Sequence, residues 1–129
     1  MHTLLTVPDT FPRLIINGKA ETADWGYNRK TKNYQSNGPV TSVTSPDIRC
    51  YQLSTASQVA TVTAGVDQIN FKSDQQVNHP GPVQYYMAKV PAGQSLNTWN
   101  GDGNVWFKVS TTHPTVTADK QLTWPGQSK

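Results

Sequence analysis

Three histidines, His2, His79 and His113, are the residues best suited to metal chemistry, because neutral imidazole binds copper and zinc readily. His79 stands in Asn78-His79-Pro80-Gly81-Pro82, where two prolines restrict the backbone and can hold the ring in one orientation. It reads either as a ligand or as an ordinary loop histidine. His113, in Thr112-His113-Pro114, has no such frame and reads as a solvated loop residue. His2 follows Met1, so a terminal amine, a backbone nitrogen and a ring are available for a chelate, the alternative being an idle terminal side chain. Other chemistry has little material. The 8 acidic residues are scattered over different turns, and with Glu21 the only glutamate, nothing marks a glycosidase carboxylate pair. Gly101-Asp102-Gly103 precedes no helical segment and reads as a hairpin turn, not a phosphate cradle. No Gly-x-Ser-x-Gly elbow or Cys-His pairing signal occurs.

The elements that must position these residues are short apolar runs broken by turn residues, the signature of a sandwich or barrel. Residues 11–16 form a strand stopped by Asn17-Gly18, a strong hairpin dipeptide. A polar loop follows over 19–39, holding Trp25, Tyr27 and Tyr34. Residues 40–43 read as a short strand ending near Ser45-Pro46. The stretch 57–63, with Val59 and Val62, runs on to a turn at Ala64-Gly65. Ile69 and Phe71 alternate with polar neighbours, as in a half-buried strand. Residues 83–90 are the longest apolar segment and read as a central strand closed by Pro91-Ala92-Gly93. Residues 105–109 form another, entered from the glycine-rich turn, and Leu122 and Trp124 begin a further one. That makes roughly six to eight short strands and no amphipathic helix, packed as two facing sheets. Trp99, Trp106 and Trp124 read as core or strand-edge residues.

Composition agrees with an extracellular β-domain. The 129 residues fit one domain, 15% of them are charged and 35% hydrophobic, and β-branched and turn residues abound. The net charge is +3, and its one local concentration, Arg29, Lys30 and Lys32, reads as a solvated loop and not a nucleic-acid surface. No apolar run is long enough to span a membrane, and the first residues are too short for a signal peptide's apolar region. Cys50 is the single cysteine. It is either a buried inert thiol or half of a disulfide whose partner is missing.

Several blocks together resemble the fungal copper-dependent lytic polysaccharide monooxygenases of auxiliary activity family nine, formerly classed as glycoside hydrolase family 61. They are Thr10-Phe11-Pro12-Arg13-Leu14-Ile15, then Asn33-Tyr34-Gln35-Ser36-Asn37-Gly38-Pro39-Val40-Thr41, and Val43-Thr44-Ser45 leading to Ile48-Arg49-Cys50. Val62-Thr63-Ala64-Gly65, the run from His79-Pro80-Gly81-Pro82 to Ala88-Lys89-Val90, and Gly103-Asn104-Val105-Trp106-Phe107-Lys108 follow in order.

The resemblance implies an immunoglobulin- or fibronectin-like antiparallel β-sandwich with a flat face for cellulose. It implies a copper held by a histidine brace, made of an N-terminal histidine's amine and ring plus a second histidine from the His-x-Gly-Pro block. His79 matches that second ligand. The position of the first is Pro8, and His2 is the nearest substitute, out of register behind Met1. The family's axial tyrosine, with its supporting glutamine and histidine, belongs to segments this chain does not reach; Tyr86 and Gln84 are not those residues. The family cysteine matching Cys50 pairs with one near that tyrosine, and this sequence has no second cysteine.

The expectation is therefore a C-terminally truncated, monooxygenase-like sandwich over 10–129 with late strands missing, preceded by an extension or signal remnant over 1–9. Its catalytic set is incomplete, its metal residues are His79 and His2, and its copper site is weak. Trp25, Tyr27 and Tyr34 lie in the loop that helps build the family's substrate face, where flat rings stack on sugars; the alternative is packing beneath the loop. The implied partner is cellulose or a related β-1,4-glucan, with no nucleic acid and no membrane, and the implied location is secreted. Two rivals stand beside this reading. One is a non-catalytic polysaccharide- or copper-binding β-module. The other is an interaction protein that self-associates through an exposed strand edge or Cys50.

Overall fold

Apolar alternation makes short strands here, and glycine, asparagine and proline end them. The computed structural model describes residues 9–77 and 79–125. Strands are β1 (Arg13–Ile16), β2 (Lys19–Ala20) and β3 (Lys30–Thr31); then comes a single helical turn, α1 (Asp47–Cys50). They continue as β4 (Gln52–Ser54), β5 (Ile69–Lys72), β6 (Gln84–Ala88), β7 (Trp106–Thr111), β8 (Thr115–Val116) and β9 (Leu122–Thr123). The described chain is nearly all β, and each pairing is antiparallel. One sheet runs β2-β1-β5, and three two-stranded sheets pair β3 with β4, β6 with β7 and β8 with β9.

Asn17-Gly18 is the two-residue turn expected between β1 and β2. Its φ values of 51° and 77° are both positive, as the turn that matches strand twist requires. The register that follows places Leu14 opposite Phe71 and Ile16 opposite Ile69, so β1 and β5 share one apolar face.

Three expectations are corrected. Residues 40–43 form no strand: Pro39 ahead of them lacks a donor, and the Ser42 carbonyl accepts from Ser45 N–H at 3.2 Å in a turn. Residues 57–63 form none either: Gln58 N–H donates to the Gly26 carbonyl and Thr63 N–H to the Asp67 carboxylate, so the segment is tied to loops and not to a ladder. The strand within 83–90 is not central, since β6 has β7 as its one neighbour. The pieces β3, β4, β8 and α1 were not legible as separate elements.

The core is small. Among the described residues, two large apolar side chains are buried, Leu14 at 9% exposure and Trp99 at 5%. Trp99 stacks on Trp106 with centroids 5.7 Å apart and planes 17° from parallel. Polar links do much of the remaining fastening. The Glu21 carboxylate accepts from the backbone N–H groups of Leu14 at 3.0 Å and Tyr27 at 3.2 Å, stapling the 19–39 loop to β1. Arg29 donates to Gln52 Oε1 and to the Trp99 carbonyl, each at 2.5 Å, joining the loop, β4 and the tryptophan cluster.

Candidate functional site

His79 lies in the connection from β5 to β6, half-buried, ahead of the two prolines that restrict its backbone. That connection is clamped to the segment leading into β1. Thr10, buried, donates its hydroxyl to Asp74 Oδ2 at 2.6 Å, and Asp74 N–H returns a bond to the Thr10 carbonyl at 3.0 Å. Asp9 lies within electrostatic reach of both His79 and Asp74. Burial raises the Asp9 pKa above the ordinary carboxylate value; the His79 charge pulls against that and the Asp74 charge adds to it.

His113 is exposed in the connection from β7 to β8. His2 lies outside the described residues.

The aromatic loop is held, not free. Trp25 is half-buried, with its backbone N–H on the Pro12 carbonyl at 2.8 Å. Tyr27 is half-buried and lines an apolar groove with Leu14, Val59, Val62, Ile69 and Phe71. Tyr34 carries the Lys30 ammonium 3.6 Å from its ring centroid, which occupies one face of the ring. Lys32 pairs with Asp47 at 2.6 Å. The basic run is therefore spent on internal contacts, a cross-linked cluster where the sequence read as a solvated loop. Sequence spacing could not show this, since the partners of Arg29, Gln52 and Trp99, lie on two separate distant segments.

Cys50 is half-buried and carries a free thiol. It sits under Gly101, where a Cβ would come within 2.7 Å of its Sγ.

The sequence pattern of Auxiliary Activity family 9 (formerly GH61) matches residues 9–129. The chain belongs to that family. It is 46% identical over 123 residues to AA9 family lytic polysaccharide monooxygenase A of Thermothielavioides terrestris, covering 93% of this chain and 52% of the relative. It is 51% identical over 122 residues to monooxygenase E of the same organism, covering 93% of this chain and 50% of the relative. Monooxygenase H of Malbranchea cinnamomea is 45% identical over 118 residues, covering 90% of this chain and 50% of the relative. The AA9 chain thus spans about half the length of these relatives.

AA9 membership raises the question of whether the residues present fit a copper ion. Cu(II) favours several nitrogen donors in a tetragonal array. Among the described residues, no group of three or more His, Cys, Asp or Glu side chains is placed to hold a metal. His79 contributes one imidazole, and its charge acts on the Asp9 carboxylate. The described residues do not fit a complete redox copper site. No helix among them is long and apolar enough to cross a membrane.

Proposed function

We propose that this AA9 polypeptide, on its own, is a secreted cellulose- or β-1,4-glucan-directed protein with an incomplete copper brace and impaired oxidative cleavage. The observation that carries the reading is that, among the described residues, no group of three or more His, Cys, Asp or Glu side chains is placed to hold a metal, His79 included. A single imidazole holds Cu(II) weakly, and reactivity depends on the surrounding groups that orient ligands and exclude water. The His2 ring, with the Met1 terminal amine and the backbone nitrogen between them, is the further nitrogen source in this reading. Residues 1–9 serve as the extension that carries it and 10–129 as the domain.

Two measurements test this. Cu(II) titration of the 129-residue chain gives weak binding that His79→Ala abolishes; tight one-to-one binding with a three-nitrogen spectroscopic signature refutes the incomplete brace. Incubation with ascorbate and cellulose yields few oxidised oligosaccharides; abundant copper-dependent product refutes the impairment. A binding module without chemistry is the second reading, favoured by how firmly the aromatic loop is fastened through Glu21 and Arg29. Under it, the chain sediments with cellulose and Trp25→Ala and Tyr27→Ala weaken that binding while copper has no effect.

A further inference from the structure

The sheet of β2, β1 and β5 has two unlike faces. Cross-strand partners share a face, so Leu14 with Phe71 and Ile16 with Ile69 lie on one side. Arg13 with Lys72 and Ile15 with Asn70 lie on the other. The first side is apolar, yet Ile69 is 44% exposed and Phe71 48%. Val59, Val62 and Leu96 extend it as walls of a groove shared with Leu14, Ile69 and Phe71, and these three are exposed as well.

A sheet with one apolar face buries it against a second layer. Among the described elements, extensive contact between strands is confined to ladder partners, so no second sheet lies across this face. Residues 1–8 and 126–129 are too few for another sheet, whose strands run roughly 5–6 residues each. The AA9 relatives have the length to supply one. Monooxygenase E of Thermothielavioides terrestris matches this chain at 51% identity over 50% of its own length, which leaves a further stretch of similar size. In such a relative, a sheet like β2-β1-β5 shares one polypeptide with that stretch. The apolar side is also the one a second layer can cover without taking charge out of water, since Arg13 and Lys72 occupy the opposite side.

We propose that a separate polypeptide equivalent to the unmatched half of an AA9 relative docks on the face formed by Leu14, Ile16, Ile69 and Phe71. It lays its own apolar layer across β1 and β5, as one sheet of a sandwich covers the other. The proposal rests on family membership and does not depend on the copper or glucan reading.

The 129-residue chain and the half of monooxygenase E that it does not match, made as separate polypeptides, are refolded together from urea. Light scattering during size-exclusion chromatography, with a fluorescent label on the added half, reads the outcome. A one-to-one complex forms and keeps the added half in solution. Ile69→Lys and Phe71→Lys, placed on side chains already exposed in the chain alone, each weaken it at least about 30-fold. Circular dichroism of both variants stays that of the unmodified chain. Val43→Lys, at a site 85% exposed in the 42–45 turn, leaves the complex intact. The absence of a complex overturns the proposal, as does precipitation of the added half in the presence of the chain. So does a complex indifferent to both lysine substitutions, or pairing of the chain with itself that excludes the added half.

Discussion

Replacing Gly101 by alanine tests whether the tryptophan cluster and Cys50 are packed as described. Gly101 has φ of +89°, where an L side chain is strained by about 1–2 kcal/mol. Its added Cβ would also meet Cys50 Sγ at 2.7 Å and the Trp106 ring at 3.4 Å. Neither can yield cheaply, since the Trp106 indole N–H is bound to the Gly101 carbonyl at 2.8 Å and its ring is stacked on Trp99. Overpacking of this kind costs about 1–3 kcal/mol, so Gly101→Ala destabilises the chain by roughly 2–5 kcal/mol in all. The two contributions separate in a double-mutant cycle. Cys50→Ala removes the sulfur but leaves the backbone strain, so Gly101→Ala costs only about 1–2 kcal/mol in that background. Urea unfolding of the four chains, followed by tryptophan fluorescence, gives the coupling energy directly. Additivity within about 0.5 kcal/mol, the behaviour of independent sites, refutes the described contact.

Gly18→Ala is the companion case: its φ is +77° but no atom lies within 4 Å of the added Cβ, so only the backbone cost of about 1 kcal/mol is expected in the same urea assay. Trp99→Ala removes the more buried of the two core side chains together with its stacking on Trp106, a loss of about 3–5 kcal/mol that a thermal melt registers as unfolding near room temperature. Asp67 accepts from the Asn17 side-chain amide at 2.7 Å and from Thr63 N–H at 2.6 Å, which lowers its pKa below the model-compound 3.8. The unfolded chain therefore binds the proton first, and the stability from this group, present above that value, is lost as pH falls through the lowered pKa. Urea midpoints measured down to pH 3 fall less steeply for Asp67→Asn than for the unmodified chain. Some acid slope persists from Asp119, whose pKa the Thr117 hydroxyl also lowers.

What could be read from the sequence is what local chemistry decides. Asn17-Gly18 has an intrinsic tolerance of positive φ, so the first hairpin was legible from two residues. Alternating apolar runs marked β1, β5, β6 and β7 to within a residue or two. The segments 40–43 and 57–63 carry β-branched residues suited to strands, but backbone groups of the first close a local turn at Ser42–Ser45 and those of the second bond Gly26 and Asp67. His79 was singled out by its proline-glycine frame. Its carboxylate neighbours were not, because the Thr10–Asp74 clamp joins positions 64 residues apart and leaves no periodic trace. The role of Arg29, whose partners lie 23 and 70 residues away, escaped for the same reason.

These long-range polar clamps explain why site residues hold their places around so slight a core. Each hydrogen bond to a charged group contributes about 1.5–3 kcal/mol when partly shielded, comparable with burying one large apolar side chain. Unlike apolar contact, such bonds fix direction as well as proximity. Glu21 orients the aromatic loop over β1 by two backbone donors, and Arg29 sets its other end against Trp99. Asp74 holds the His79 connection to the approach of β1. The geometry of the candidate site therefore rests on a few directional links, while the broad apolar faces of β5, β6 and β7 contribute little until something covers them. Covering those faces should raise the stability of the sheets far more than it alters the placement of His79, because the clamp that sets its position uses none of their side chains.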